Sequence, residues 1–145
     1  MYKHIVVATD GSKIASNAVT QAVALSKAVG AKLTAVMVTE PYEAVAFTET
    51  MSVIDPSVYK KHCDEHAKEV LAGVVDIAKA AGVTCDAVHQ DNHWPYAGII
   101  AAAENSGADL IVVGSHGRRG FEALLLGSQA VKLLTHTKIP TLVVR

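Results

Sequence analysis

Short runs of small and branched apolar residues alternate along this sequence with longer segments in which apolar residues recur every three or four positions. The first run, 5–9 (IVVAT), is followed by a helical period over 13–29 and then by a second apolar run over 31–38. Ser12 and Gly30 stand where the N-cap and C-cap of that helix would be. A short apolar run fits a strand buried on both faces, so the pattern predicts a βαβ unit.

The same alternation continues through residue 144. Helical periods predict further helices at about 57–81, 96–105 and 128–135, and apolar runs predict strands at 83–89, 108–113 and 140–144. Pro41, Pro56 and several Thr and Glu interrupt both periods between them, so we expect 39–56 to form a long loop with at most a helical turn. Five strands alternating with four helices predict one α/β domain over 1–145: a doubly wound parallel sheet, order 3-2-1-4-5, with helices on both faces.

Charge and the length of the apolar runs exclude several classes of protein. The 13 Lys+Arg are matched by 14 Asp+Glu, and a net charge of -1 leaves no basic excess for general nucleic-acid binding. The longest uninterrupted apolar stretch, 97–103, is far shorter than the ~20 residues that span a bilayer, and the first residues lack a signal-peptide pattern. Cys63 and Cys85 fit reduced thiols. We therefore expect a cytoplasmic protein without nucleic-acid or membrane partners.

Two polar features follow the first and fourth predicted strands. Asp10 stands directly after the first strand, and the spacing Gly114-x2-Gly117-x9-Gly127-Ser128 follows the fourth. Gly114 would let a ligand approach the backbone, Gly117 suits a turn with positive φ, and the helix that begins at Ser128 would favour an anion such as phosphate. Ligands of doubly wound sheets bind at the carboxyl ends of strands near a switch point, so a mononucleotide site is predicted there, with Asp10 on a ribose hydroxyl. The alternative is a glycine-rich connection that binds nothing, because neither a Walker A loop nor a GxGxxG motif occurs.

Three stretches of the sequence resemble the universal stress protein family. They are HIVVATDGS at 4–12, the stretch from 108 through GSHGRRG at 114–120 to Gly127-Ser128, and IPTLVVR at 139–145. The resemblance covers the whole sequence, and the G-x2-G-x9-G-(S/T) spacing is the ATP-binding motif of one branch of that family. It implies a five-stranded α/β fold, binding of an adenine nucleotide (ATP, ADP or AMP) and a homodimer formed through the final strand. It also implies a stress-response sensor or regulator, with slow ATP hydrolysis at most.

The resemblance also implies roles for particular positions. Asp10 would contact the ribose with Thr9 on the same edge, and Val38 would pack near the adenine. The backbone of Val113 and Gly114 would face the nucleotide. The other residues expected at the site belong to the phosphate loop and the first turn of the final helix: Ser115, His116, Gly117, Arg118, Arg119, Gly127, Ser128, Gln129 and Ala130. Any Mg²⁺ would be held mainly by the phosphates, so no metal site in the protein is predicted.

The sequence departs from the family's pattern directly after Ser128. The ATP-binding branch usually continues with an apolar residue and then Ser or Thr, where this sequence has Gln129 and Ala130. Loss of a hydroxyl that bonds a charged phosphate costs about 1.5–3 kcal/mol, roughly ten- to a hundredfold in affinity, although the Gln129 amide could supply a donor. A dimeric stress regulator that binds no nucleotide is therefore the alternative hypothesis.

A second cluster of side chains lies on the helix predicted over 57–81. His62, Cys63 and His66 would suit Zn²⁺ by residue type, but no fourth ligand is evident. Because Cys63 and Ile77 fall on the predicted apolar face, we favour a core cysteine beside two surface histidines. His116 is expected to contact a ligand rather than act as a general base, since no Ser-Asp arrangement accompanies it.

Overall fold

A computed structural model describes residues 1–48, 52–116 and 126–145 of the chain. The strands are β1 (His4–Ala8), β2 (Lys32–Thr39), β3 (Cys85–Asp91), β4 (Leu110–Gly114) and β5 (Thr141–Val144). The helices are α1 (Lys13–Val29), α2 (Tyr42–Val45), α3 (Pro56–Ala80), α4 (Pro95–Ser106) and α5 (Ser128–His136). No helix in these described residues is both long enough and apolar enough to cross a bilayer.

The five strands form one sheet in the order β3-β2-β1-β4-β5, and every neighbouring pair is parallel. The predicted fold class and strand order are thus confirmed. The chain leaves β1 first toward β2 and later crosses to β4 on the other side, so the switch point lies between β1 and β4. Clefts open at the carboxyl ends of parallel strands at such a point.

Alternating side chains of the central strands build a separate core on each face of the sheet. Ile5 and Val7 of β1 pack with α1 and α3 residues such as Ala18 and Ala67, whereas Val6 packs on the other face with Leu133 of α5. A strand directs successive side chains to opposite faces, and here both faces are covered. This is why the central strands are apolar without interruption, and why helices lie on both sides of the sheet as predicted.

Strand β3 begins two residues later than the sequence pattern predicts. Gly82, with φ 78°, ends α3 in the left-handed conformation, and the Val83 N–H donates to Ala78 O at 2.9 Å. Val83 is 7% exposed and packs in the core, so its apolar side chain closes the end of α3. The strand extends instead to Asp91, which pairs with Thr39 of β2.

The four-residue helix α2 is the helical turn expected within the loop over 39–56, and with it the described residues form five helices where four were predicted. One further expectation needs correction. The apolar face of α3 is rotated from the prediction: its buried residues are Ala67, Leu71, Val74 and Ala78. Ile77 is 51% exposed, because the 3.6-residue period through these four buried positions turns it away from the sheet.

Candidate functional site

A cavity of about 450 Å³ lies at the carboxyl ends of β1, β2 and β4, at the switch point of the sheet. Its volume falls within the roughly 300–1,000 Å³ typical of small-molecule sites. Residues after β1, at the end of β2, after β4 and in the first turn of α5 line it together with α4. Segments that are distant in the sequence therefore meet at one opening.

Eleven of the fourteen residues predicted for the site line this cavity: Thr9, Asp10, Val38, Val113, Gly114, Ser115, His116, Gly127, Ser128, Gln129 and Ala130. The other three, Gly117, Arg118 and Arg119, lie outside the described residues. The structure thus brings together every described member of the predicted set. Their contacts with a nucleotide stay a prediction.

The segment after β1 is held by its own polar side chains. Thr9 is 7% exposed, and its hydroxyl accepts from the Gly11 N–H at 3.2 Å. Asp10 Oδ1 accepts from the Ser12 N–H at 2.9 Å, and Ser12 Oγ accepts from the Ala15 N–H at 3.2 Å, as the N-cap of α1. Gly11 has φ 79°, a conformation that strains other residues. These bonds fix the Asp10 side chain at the edge of the cavity.

Gly114 has a structural role that the sequence did not indicate. A Cβ on this residue would lie 2.9 Å from Cγ2 of Ile14, on α1. The close approach that requires glycine here is therefore the packing of α1 against the end of β4. The ligand approach expected at Gly114 is not needed to account for a glycine at this position.

The segment after β4 is bonded to the start of α5. The Ser115 N–H donates to Val144 O, and the Gly127 N–H donates to Ser115 O, both at 2.7 Å. A Cβ at Gly127 would lie 2.9 Å from Ser115 O, so only glycine allows the two backbones to meet. Ser115 is 4% exposed, and its Oγ lies 3.1 Å from His116 Nδ1. The two ends of the predicted phosphate loop are thereby joined.

The first turn of α5 offers backbone donors to the cavity. Its N-cap is Gly127, which brings no capping side chain, and its first turn holds no acidic residue. The free N–H groups and the dipole at such a terminus attract anions. Gln129 has a second role, because its Oε1 accepts from the Tyr96 N–H at 3.1 Å and so caps α4. The N-cap residue of α4, Trp94, makes no side-chain capping hydrogen bond of its own. The Gln129 NH₂ group remains a hydrogen-bond donor.

Helix α4 supplies an apolar wall that the sequence pattern did not identify. A Cβ at Gly98 would lie 2.7 Å from Val38 Cγ1, so α4 packs directly on the end of β2. This contact brings Pro95 and Ile99 to the cavity beside Val38. The glycine inside an otherwise apolar helix was the available signal, since such a glycine often marks a close approach.

A second, smaller cavity of about 260 Å³ adjoins the first, and Thr39 and Glu40 line both. The Tyr59 hydroxyl donates to Glu40 O at 2.7 Å. Burial, followed by the neighbouring Cys63, raises the pKa of Tyr59, so this hydroxyl stays a protonated donor. Tyr59 of α3 therefore anchors the short segment that separates the two cavities.

The metal cluster considered for α3 does not form. His62, Cys63 and His66 do not bring their ligand atoms together as a group. In the described residues, the side chains that do so are Asp64, His89 and Asp91, whose ligand atoms all lie within 4.8 Å of one another. Proximity along one helix suggested the first set, whereas the second combines α3 with β3.

A doubly wound parallel sheet with a cavity at its switch point defines an α/β protein of the class that binds ligands at the carboxyl ends of its strands. More particularly, the chain belongs to the universal stress protein family, whose sequence profile matches residues 1–145. It is 32% identical over 152 residues to the universal stress protein YxiE of Bacillus subtilis, and the match covers 100% of both chains.

Solved structures show the same fold. The universal stress protein UspA of Lactobacillus plantarum is 23% identical and superposes with a TM-score of 0.85, covering 99% of this chain and 98% of that one. A universal stress protein in complex with cAMP is 28% identical, with a TM-score of 0.73 and coverage of 99% and 97%. At least one similar protein of the family thus binds an adenine nucleotide.

Proposed function

We propose that this protein binds an adenine nucleotide in the cavity at the switch point and acts as a nucleotide-dependent sensor or regulator in a stress response. The observation that carries the proposal is the convergence of eleven predicted residues on one cavity of about 450 Å³. A solved relative in complex with cAMP adds support.

The proposed orientation follows from the chemistry of the cavity walls. Backbone N–H groups at the start of α5 suit the phosphates, and the NH₂ group of Gln129 is a further donor. Val38 and Ile99 form an apolar surface that suits the adenine. Asp10, which follows β1 and lines the same cavity, suits a ribose hydroxyl.

The residues fit a nucleotide phosphate better than they fit a metal held by the protein. The α5 terminus supplies donors, and we propose that Mg²⁺, where ATP is the ligand, is bound mainly by the phosphates. No catalytic residue is assigned, and hydrolysis of ATP is expected to be slow at most.

Isothermal titration of nucleotide-free protein with Mg-ATP, ADP, AMP and cAMP tests the proposal. We expect at least one of them to bind with a micromolar Kd and a stoichiometry of one per chain. Tighter binding of AMP than of ATP would locate the effect of Gln129 and Ala130 at the terminal phosphates. Absence of binding by folded protein, judged by circular dichroism, would refute nucleotide binding and favour the regulator that acts without a nucleotide.

We also propose a homodimer formed through β5. Among the strands that the structure describes, β5 pairs only with β4 and lies at the edge of the sheet, and exposed edges are usually paired or protected. Leu142 of β5 is 40% exposed, and Leu134 of the adjoining α5 is 43% exposed. Pairing of two β5 strands about a two-fold axis would protect this edge, and sedimentation of a monomer at micromolar concentration would refute it.

Two free thiols, Cys63 and Cys85, support the expected cytoplasmic location.

A further inference from the structure

Three side chains with metal-binding atoms meet at the edge of the sheet, away from the cavity at the switch point. His89 and Asp91 are two residues apart in β3 and point to the same side, where Asp64 of α3 faces them. One ligand atom from each lies within 4.8 Å of the other two. One imidazole nitrogen and two carboxylates form a mixed set that suits a divalent transition metal.

The hydrogen bonds around Thr39 fix the tautomer of His89. The Thr39 hydroxyl donates its single proton to Asp91 Oδ1 at 2.7 Å, and the same oxygen lies 2.8 Å from His89 Nε2. His89 Nε2 must therefore be the donor to Thr39, which leaves Nδ1 with a lone pair in the neutral ring. Metal-binding histidines commonly show this arrangement, with the remote N–H bonded to an oxygen.

The lone pair of His89 faces a carboxylate. Nδ1 lies 3.7 Å from Asp64 Oδ1. Two acceptors at this separation are stabilised by a positive charge between them. The Asp64 carboxylate thus lies nearest Nδ1 of His89, and Oδ1 of Asp91 lies 3.7 Å from Nε2 of the same ring.

Lys60 occupies the position that a cation would take. Its Nζ lies 3.2 Å from Asp64 Oδ1 and 3.4 Å from Asp91 Oδ2, bridging the two carboxylates. The Lys60 side chain is 62% exposed, so it can move into solvent at little cost. Asp91 and Lys60 also line the cavity of about 260 Å³, which has room for water ligands.

We propose that Asp64, His89 and Asp91 bind a divalent transition metal such as Zn²⁺, with His89 Nδ1 as the nitrogen ligand and water completing the coordination. Lys60 is the counterion of the metal-free state and is displaced by the metal. The Thr39 hydroxyl orients His89 and Asp91 through its hydrogen bonds to both side chains. The site adjoins the nucleotide cavity, which Thr39 also lines, but the proposal does not depend on the function proposed above.

Titration of the wild-type protein with Zn²⁺ against a chromophoric chelator tests the proposal, with Co²⁺ absorption as a second measure of coordination. We expect one ion per chain. His89→Gln and Asp91→Asn should each weaken binding by at least about tenfold, and Thr39→Val by about 10- to 100-fold, while circular dichroism shows each variant folded. Lys60→Met should tighten binding by at least about fivefold, because it removes a competing positive charge.

Two control variants lie on the same helix. Lys61→Met removes a lysine that is 3.9 Å from Glu65 in an equivalent i,i+4 pair, and it should leave Zn²⁺ affinity unchanged. His62→Gln removes any chelate formed with His66 and should also have no effect. Absence of Zn²⁺ binding by folded wild-type protein would overturn the proposal. Zn²⁺ affinity that falls with His62→Gln and does not change with Lys60→Met would overturn it equally.

Discussion

A negative charge at the start of α5 should oppose nucleotide binding while it stabilises the protein. Ser128 is the first residue of α5, is exposed, and lines the cavity behind a glycine N-cap. For the Ser128→Glu variant we take a separation of about 5 Å between the new carboxylate and a bound phosphate, since residue 128 and the backbone donors of the same helical turn line one cavity. At an effective dielectric constant of about 20–80, the repulsion per phosphate charge is then about 1–3 kcal/mol. We expect the Kd for ADP or ATP to rise roughly 5- to 150-fold.

The same substitution should increase the stability of the protein without nucleotide. The first turn of α5 has no acidic residue, and a carboxylate there interacts favourably with the helix dipole by about 0.3–1 kcal/mol. For a chain of this size the melting temperature should rise by about 1–4 °C. If the start of α5 binds an anion, the same substitution should raise the stability of the nucleotide-free protein and lower its affinity for nucleotide.

The assay is isothermal titration at low and high salt, beside thermal melts of the nucleotide-free proteins. Ser128→Gln has nearly the same size and no charge, so the difference between the Glu and Gln variants isolates the electrostatic effect. That difference should shrink as salt screens the charges. Equal affinity of the two variants at low salt would refute phosphate binding at the start of α5.

Three further predictions concern packing and titration. Gln129→Ala should lower stability by about 1 kcal/mol in urea unfolding because it uncaps α4. Gln129→Glu should keep the cap while it replaces the amide donor with a negative charge, so a stable Glu variant with unchanged ADP affinity would exclude contact between this side chain and the phosphates. Gly114→Ala should destabilise the folded protein by about 1–3 kcal/mol through its contact with Ile14, and adding Ile14→Ala should recover part of that loss. Strict additivity of the two substitutions in the double-mutant cycle would contradict the packing argument. Burial raises the pKa of the Cys85 thiol, so less of it is present as the reactive thiolate. In a Cys63→Ser variant, Cys85 should therefore be alkylated more slowly than glutathione at about pH 7.5, and the rate should increase as the pH rises.

The sheet could be predicted from the sequence because its central strands are buried on both faces. Continuous apolar runs such as 5–9 and 110–113, with helical segments between them, are typical of parallel strands that helices cover on both sides. The edge strand β3 was placed less accurately. Its polar end at His89 and Asp91 gives no apolar signal, and Val83 serves the end of α3.

The candidate site, like the sheet, could be predicted only in part. Asp10 and the glycines were recognisable because they follow strands whose ends must share one edge of the sheet. The bond from the Tyr96 N–H to Gln129 was not predictable, since it depends on how α4 lies against α5. The cluster of Asp64 with His89 and Asp91 likewise requires the packing of α3 on β3. Contacts between elements carry information that a linear pattern does not contain.

The distribution of the cavity residues along the chain has a consequence for biosynthesis. Asp10 follows the first strand, whereas the start of α5 at Ser128 leaves the ribosome after the other segments that line the cavity. A nascent chain has no cavity until β4 has paired with β1 and α5 has docked. A nucleotide would therefore stabilise only the assembled sheet and would not stabilise partly folded intermediates. Its presence should slow unfolding while it leaves the rate of folding unchanged.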